Sequence, residues 1–469
     1  MCEVRTLITR LREKLAEDAV LEEADVLDDY SHDSWPVATV WSKLGQHPHR
    51  PDVVVRVDSA AQVALVLEEA TDLGLAVTPR GLGSSVTGQP LPTRGGIVLD
   101  LSALVGPPVL HELDRTVTVP AGVRGSDLEA WLNQRGLTLN HFPQSLARST
   151  VGGWIATRAT GQFSSRYGGI EDLVTAFTAV LADGTVCQVG QRPRAAMGPD
   201  LKQLFIGSEG TLGIVTDVTL KVFAVPETTL VEAFTVPDVD RGVTAMRELI
   251  QAGLRPHLLR FYDADEARHA LGTADRGLPA LFVGHHGHTE LTRVEHVAVT
   301  RLLVQHGAVS LGPSPVEAWL ARRFDFSTVE KLLAQPGGYA ETIEVANLWS
   351  RIVPMYLELK EQLQPLADEV LGHFSHVYDQ GSSLYVILLG QADDDTEALT
   401  RLEEIWRRAM EVVVRHNGEV SHHHGGGLAR QPWARQSLGS GHVLLQRVKD
   451  ALDPQHTLNP GKLGLGLTA

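Results

Sequence analysis

"TPRGLGSSVTG", residues Thr78 to Gly88, places Gly81, Gly83 and Gly88 with Ser84 and Ser85 inside eight residues, directly after a β-rich run. Glycine lets a backbone approach a pyrophosphate closely, and small hydroxyl residues add donors without bulk. The stretch is not a P-loop, because no Gly-Lys-Ser/Thr follows, and Val86 stands where a dinucleotide fingerprint would carry its third glycine. Alone it reads equally as a phosphate cradle or a tight turn. Outward from it, "PQSLARSTVGGWIATRATGQFSSRYGGIEDLV" (Pro143 to Val174) and "GSEGTLGIVTDVTL" (Gly207 to Leu220) share its wealth of glycine and hydroxyl groups. Three such segments in one half of the chain predict a long, extended cofactor enclosed by backbone.

The rest of the chain supports a large folded protein. Its 469 residues suffice for two or three domains, and 43% apolar with 21% charged residues is a globular composition. The net charge of −16 argues against a nucleic-acid surface. With only Cys2 and Cys187, neither a disulfide framework nor a cysteine metal site is expected, which suits a reducing cytoplasm. The opening residues read as an amphipathic helix rather than a signal peptide, and no apolar run reaches the roughly 18 residues of a membrane span.

Up to about residue 225, short β-rich runs such as "DVVVRV", "GGIVLDLS" and "TVTVPAG" alternate with helical stretches such as "SAAQVALVLEEATDLG". Beyond it come longer helix candidates, among them "DRGVTAMRELIQAG", "LWSRIVPMYLELKEQL" and "DDDTEALTRLEEIWRRAMEVVVRHNG". The expected division is a cofactor domain over 1–225, a cap or substrate domain over 226–415, and a C-terminal segment over 416–469 that returns to the first domain.

The three glycine segments and the closing "LNPGKLG" together resemble the flavoproteins of the vanillyl-alcohol oxidase and para-cresol methylhydroxylase type, over nearly the whole chain. The resemblance implies an α+β protein: a bipartite FAD-binding domain of two α/β subdomains, with an α+β cap holding substrate over the isoalloxazine. It implies FAD contacts from Pro79, Arg80, Gly81, Leu82, Gly83, Ser84, Ser85 and Gly88. The second segment would add Pro143, Ser145, Ser149, Thr150, Gly152, Gly153, Ala156, Thr157, Ser164 and Gly168, and the third Glu209, Gly213 and Ile214. Some members attach flavin to a histidine near the first loop; Ser84 and Ser85 occupy that region here, so non-covalent FAD is expected. A homodimer is compatible with the resemblance, although no stretch identifies an interface.

Near the end, "SHHHGGG" (421–427) raises a choice between a metal, a proton and packing. In an extended segment side chains alternate, so His422 and His424 would share one face and His423 the other. No zincin pattern or cysteine pair accompanies them, and no metal is expected. "GHHGH" at 284–288 and the pair His373 and His376 read as loop or surface histidines without carboxylate partners. Proton transfer has the better support, because flavin chemistry beside a C–O bond needs a group that accepts or delivers a proton.

Within that superfamily the segment is similar to the alkyldihydroxyacetonephosphate synthases, which carry a Ser-His-His-His-Gly stretch there, and "HVYDQGSSLYVILL" (376–389) resembles their Tyr-Asp-x-Gly strand. The implied acid/base set is Tyr385 with His423 or His424, then His422 and Tyr378; a neighbouring cation would lower the tyrosine's pKa. Arg260 matches an arginine of the synthases and would clamp an anionic group, with surface pairing to Asp263 or Asp265 as the competing explanation. A second synthase arginine has Glu330 in its place, leaving Arg322 or Arg323 to substitute in space.

The first expected function is FAD-dependent oxidation of a small, oxygenated, anionic substrate of the 2-hydroxy acid kind, with hydride passing to flavin N5 and oxygen or a carrier reoxidising the flavin. The alternative is the synthase reaction, a redox-neutral exchange of acyl for alkyl through a flavin N5 adduct. A non-catalytic flavin-binding scaffold is a third.

Overall fold

The computed structural model describes residues 2–190, 193–273 and 277–466, which build three principal sheets and a two-stranded one. The first has four strands in the order Val20–Leu21, Val53–Arg56, Ile97–Asp100, Val77–Arg80. Its last three strands are parallel, with Val53 and Val77 both opposite Ile97. A parallel strand is covered on both faces and reads as a continuous apolar run, which is why "DVVVRV" lacks alternation. Helix Ala60–Asp72 covers it, capped by Ser59, whose hydroxyl accepts from the Gln62 N–H. The expected N-terminal helix, Cys2–Arg12, packs Leu7, Ile8 and Leu11 against the same layer.

The second sheet is antiparallel and five-stranded, in the order Val109–His111, Thr116–Pro120, Ile214–Lys221, Val174–Val180, Val186–Gly190. Strand Ile214–Lys221 leads directly out of the third glycine segment.

The third sheet has seven strands in the order Val309–Gly312, Thr228–Thr235, Ala280–Gly287, Leu258–Tyr262, Glu369–Val377, Gly381–Gln391, Gly338–Leu348. One face packs on helices Val239–Gln251, Trp349–Leu363 and Asp395–Arg415, forming the largest apolar core. The other face carries Leu258, Tyr262 and Phe282, which join Phe163 of the second glycine segment and Trp319 in a smaller cluster. Strand alternation therefore divides this sheet into a structural face and a face turned to the glycine segments.

One strand breaks that alternation. Between Ser375 and Val377 the pairing slips, and His376 adopts φ +51, a left-handed conformation that non-glycine residues seldom take. The bulge turns the His376 ring toward Tyr385 on the neighbouring strand.

The C-terminal helix Gly441–Leu452 ends just before Pro454, and the tail then lies along the first sheet, where the Asn459 N–H donates to the Val77 carbonyl. Among the described residues, no helix is long and apolar enough to cross a membrane.

Candidate active site

The glycine segments converge. A Cβ on Gly81 would stand 2.7 Å from Thr150 Oγ1, and one on Gly210 would strike the Pro79 ring, so the first segment touches both of the others at positions only glycine fits. Gly83, at φ +66, lies beneath the Arg80 guanidinium, which donates to the His32 carbonyl at 2.8 Å and makes no ion pair among the described residues. A half-buried cation beside glycine backbone that a ligand can approach closely suits a dinucleotide, and the residues present fit FAD.

Several residues expected at the cofactor also have local partners within the chain. Ser149 accepts from the Trp154 indole and donates to the Ser145 carbonyl. Gly88 adjoins Leu428, Gly213 packs on Phe205, and Gly168 turns the chain at φ +83 against Asp172. Ser164 donates to or accepts from His376 Nδ1 at 2.7 Å, which places it at the large sheet.

The segment 421–427 departs from the expected extended form. Its six N–H groups from His422 to Gly427 all meet side-chain oxygens. Glu344 Oε1 accepts from His422 and His423 at 2.9 Å each, and its Oε2 from His424 at 3.2 Å. Ser421 Oγ accepts from Gly425, while Glu209 accepts from Gly426 and Gly427. Successive N–H groups aimed at one anion curl the backbone, and the curl removes the alternation. All three rings consequently gather round Glu344, with His422, His423 and His424 Nδ1 at 3.6, 3.1 and 4.0 Å from its oxygens.

Glu344 was not legible as a site residue. It lies on strand Gly338–Leu348 directly opposite Tyr385, which is itself opposite His373. Its side chain has no exposed surface. Burial would raise the carboxyl, but the charges of His423 and His424, a hydrogen bond to His423 and the nearby Arg430 outweigh it and hold the group well below the carboxylate range. Glu344, His422 and His423 also offer atoms close enough together to hold a cation. Glu344 Oε1 also receives two N–H bonds, the two Nδ1 atoms lie 2.8 Å apart, and Nε2 of each histidine meets a tyrosine hydroxyl.

Those tyrosines are the expected pair. Tyr385 OH lies 2.8 Å from His423 Nε2 and 3.2 Å from His376 Nε2, and Tyr378 OH lies 2.6 Å from His422 Nε2. Contrary to the expected lowering, burial and then the Glu344 charge push the Tyr385 hydroxyl well above its ordinary value, so it is a phenol at rest. Burial likewise depresses His422 and His424, each to about 3.

His373 and His376 are buried, not surface, residues, and His373 has a carboxylate partner: its Nδ1 meets Glu266 at 2.8 Å. Its Nε2 accepts from Arg260 Nη2 at 2.7 Å, and its ring stacks on Tyr385. Arg260 therefore does not pair with Asp263 or Asp265, both of which engage Lys360. His285 and His286 are also buried, with His286 stacked on His257 at 3.8 Å and bonded to Tyr167 OH; His288 is exposed, as expected.

Arg323 lies over Phe142 and Phe163 with its Nε unpartnered, while Arg322 donates to the carbonyls of His269 and Ala270. Glu330 forms an ion pair with Arg148 at 2.6 Å, both more than half exposed. Exposed pairs contribute little, so Glu330→Gln is expected to change stability by less than about 0.5 kcal/mol, read from the urea midpoint, and to leave the bound flavin spectrum as it is.

Comparisons with known proteins agree with this construction. Residues 51–190 match the family described as FAD binding domain, and residues 225–463 match FAD linked oxidases, C-terminal domain. The uncharacterized FAD-linked oxidoreductase YgcU of Escherichia coli is 30% identical over 475 residues, covering 97% of this chain and 98% of that protein. Alkyldihydroxyacetonephosphate synthase of Trypanosoma brucei brucei is 27% identical over 499 residues, covering 97% of this chain and 80% of that one. The crystal structure of p-cresol methylhydroxylase with substrate bound superposes with a TM-score of 0.83 at 18% identity, covering 99% of this chain and 97% of that one. With its glycine segments and its large sheet each accounted for, the protein belongs to the FAD-linked oxidase family and is an enzyme whose cofactor is FAD.

Proposed function

We propose that the enzyme oxidises a small anionic substrate bearing a hydroxyl group, of the 2-hydroxy acid class. The observation that carries this reading is a row of groups across three adjacent strands. Arg260, His373 and Tyr385 stand side by side, with His423 behind Tyr385.

Each group has a task that its surroundings support. Glu266 fixes a proton on His373 Nδ1, which leaves Nε2 as the acceptor that aims the Arg260 guanidinium. Arg260 makes no direct ion pair among the described residues, and the Glu266 carboxylate reaches it only through His373, so a substrate carboxylate or phosphate would be the first anion to touch the guanidinium. Tyr385 donates to His423 Nε2 and accepts from His376, and one lone pair of its oxygen is left for a substrate hydroxyl. As that hydroxyl gives its proton to Tyr385, the phenolic proton moves to His423, and Glu344 balances the imidazolium. Phe142 packs on Phe163, and Trp319 on Phe282, which gives the space beside these groups an apolar wall. FAD would be held by the segments around Gly81, Gly153 and Gly210 and would supply the two-electron acceptor.

The triple histidine and the likeness to the trypanosomal synthase favour a second reading, redox-neutral alkyl exchange on an acylated dihydroxyacetone phosphate. Arg260 and Arg323 would then serve its phosphate.

The deciding experiment is anaerobic: the flavin spectrum is followed during titration with glycolate and D-lactate, and in parallel with acyl-dihydroxyacetone phosphate plus a fatty alcohol. Bleaching by a hydroxy acid, with recovery in air or with a dye, is the expected result. Alkyl product without net bleaching would establish the second reading. Arg260→Gln should raise KM for the hydroxy acid on the order of ten- to a hundredfold, the value of a charged hydrogen bond, without loss of FAD. An unchanged KM would remove Arg260 from the site.

A further inference from the structure

Tyr385 does not end its hydrogen-bonded chain. His423 Nε2 lies 2.8 Å from the Tyr385 hydroxyl, His423 Nδ1 lies 2.8 Å from His422 Nδ1, and His422 Nε2 lies 2.6 Å from the Tyr378 hydroxyl. Four groups on three separated stretches of chain thus make an unbroken line. The other branch from Tyr385, through His376, stops at Ser164, which is buried.

The outer end of the line is wetter than the inner. Both tyrosines are partly exposed, but Tyr378 is followed by the exposed Asp379 and Gln380, whereas Tyr385 lies within a strand between the buried Leu384 and Val386. Tyr378 lies in the field of Glu171, Asp172 and Arg158, and Arg158 is exposed and paired with Glu171.

The donor inventory permits one direction throughout. Tyr385 O–H donates to His423 Nε2. His423 Nδ1–H is shared between His422 Nδ1 at 2.8 Å and Glu344 Oε1 at 3.1 Å, and His422 Nε2–H donates to the Tyr378 oxygen, whose own hydrogen is free to point outward. Glu344 Oε1 lies 3.1 Å from His423 Nδ1 and 3.6 Å from His422 Nδ1, so one fixed carboxylate stands beside the junction where positive charge is greatest during a transfer. The groups facing this junction are Glu344, His376, His424 and, behind the carboxylate, Arg430.

From this geometry we infer that Tyr385, His423, His422 and Tyr378 form a proton wire that carries the substrate's hydroxyl proton from the buried site to the surface beside Arg158 and Glu171. This rests on the reading of Tyr385 and His423 as the proton acceptors. The transfer balances. The substrate O–H bond breaks as a new Tyr385 O–H forms, and the old Tyr385 proton goes to His423 Nε2. The His423 Nδ1 proton then goes to His422 Nδ1, the His422 Nε2 proton to Tyr378, and the original Tyr378 proton to water. No electron moves along the line, and every member ends neutral with its polarity reversed. One inward proton restores the polarity when the substrate's electrons pass to an acceptor that is itself protonated, such as oxygen or a quinone.

Two measurements test the wire. The first needs no substrate: in the 15N spectrum of histidine-labelled holoenzyme at pH 8, with His422→Gln and His423→Gln used for assignment, the two rings should be opposite tautomers, His423 protonated at Nδ1 and His422 at Nε2. Two identical tautomers, or an imidazolium at either ring, would overturn the inference. The second is a single anaerobic turnover with glycolate or D-lactate in weak buffer containing a pH indicator dye. Proton release should coincide with bleaching in the natural enzyme and lag it about tenfold in Tyr378→Phe, where the outer hydroxyl is missing. Release that stays synchronous in Tyr378→Phe sinks the wire, while the site itself stands if Tyr385→Phe is still slow to bleach. If neither acid bleaches the natural enzyme, the substrate reading fails and the tautomers alone decide the wire.

Discussion

Tyr385→Phe is expected to keep its FAD and to lose on the order of a hundredfold or more in the rate of flavin reduction, the usual consequence of deleting a general acid/base group. FAD retention follows from position, because Tyr385 sits on strand Gly381–Gln391 and none of its polar contacts is to a glycine segment. The loss follows from connectivity: without the phenol, His423 Nε2 has no donor and the substrate hydroxyl no acceptor in line with it. His423→Ala should cost a similar factor, and the double variant little more than either alone, since the two act as one unit. His424, edge-on to Tyr385 at 5.8 Å between ring centres, should matter less. Stopped-flow bleaching of the variants checks all of this; normal reduction in both Tyr385→Phe and His423→Ala would remove the pair from the mechanism.

Glu344→Gln should destabilise the fold by about 3–5 kcal/mol, the range for removing one partner of a buried charge network, measured as a lower urea midpoint. The amide would turn two hydrogens toward backbone N–H groups that now meet carboxylate oxygen. The pH dependence has a fixed sign. A carboxyl whose folded pKa is lowered adds stability above its unfolded value near 4.5, and that stability is lost as pH falls toward the folded value. His422 and His424, depressed to about 3 by burial, behave alike: their share is complete above the unfolded histidine value of about 6.5 and declines as pH falls toward 3. Acid unfolding should therefore begin below about pH 6.5, and Glu344→Gln should flatten its lower part. A midpoint unmoved by the substitution would mean that the carboxylate does not organise the segment.

Much of this was readable in the sequence because local physics wrote it there. The valine run of "DVVVRV", the periodic helices and the glycine segments each carry their meaning within a few residues. Tyr385 and the histidines stood out by resemblance. Glu344 did not, because its role depends on a partner 78 residues away, brought near by the bridge between Ala346 and Glu419. A hint was present: "ETIEV" puts two acidic residues, Glu341 and Glu344, on opposite faces of an otherwise apolar strand, and a sheet buries such groups only when something answers them. His376 was hidden for another reason, since a bulge cannot be seen in a residue pattern. The alternation expected for residues 422–424 failed because it presumed backbone bonded to backbone, and here backbone is bonded to carboxylates.

The two carboxylates that hold segment 421–427 belong to different layers. Glu344 lies within the seven-stranded sheet, and Glu209 lies in the loop that enters the five-stranded one. The segment is thus a seam sewn to both sides. Swinging the large sheet away from the glycine segments would unfasten one row of stitches, leaving two or three buried N–H groups bare at a cost of about 1–3 kcal/mol each. Entry of reactant and exit of product are therefore expected to need movements of side chains and surface loops rather than separation of the two layers.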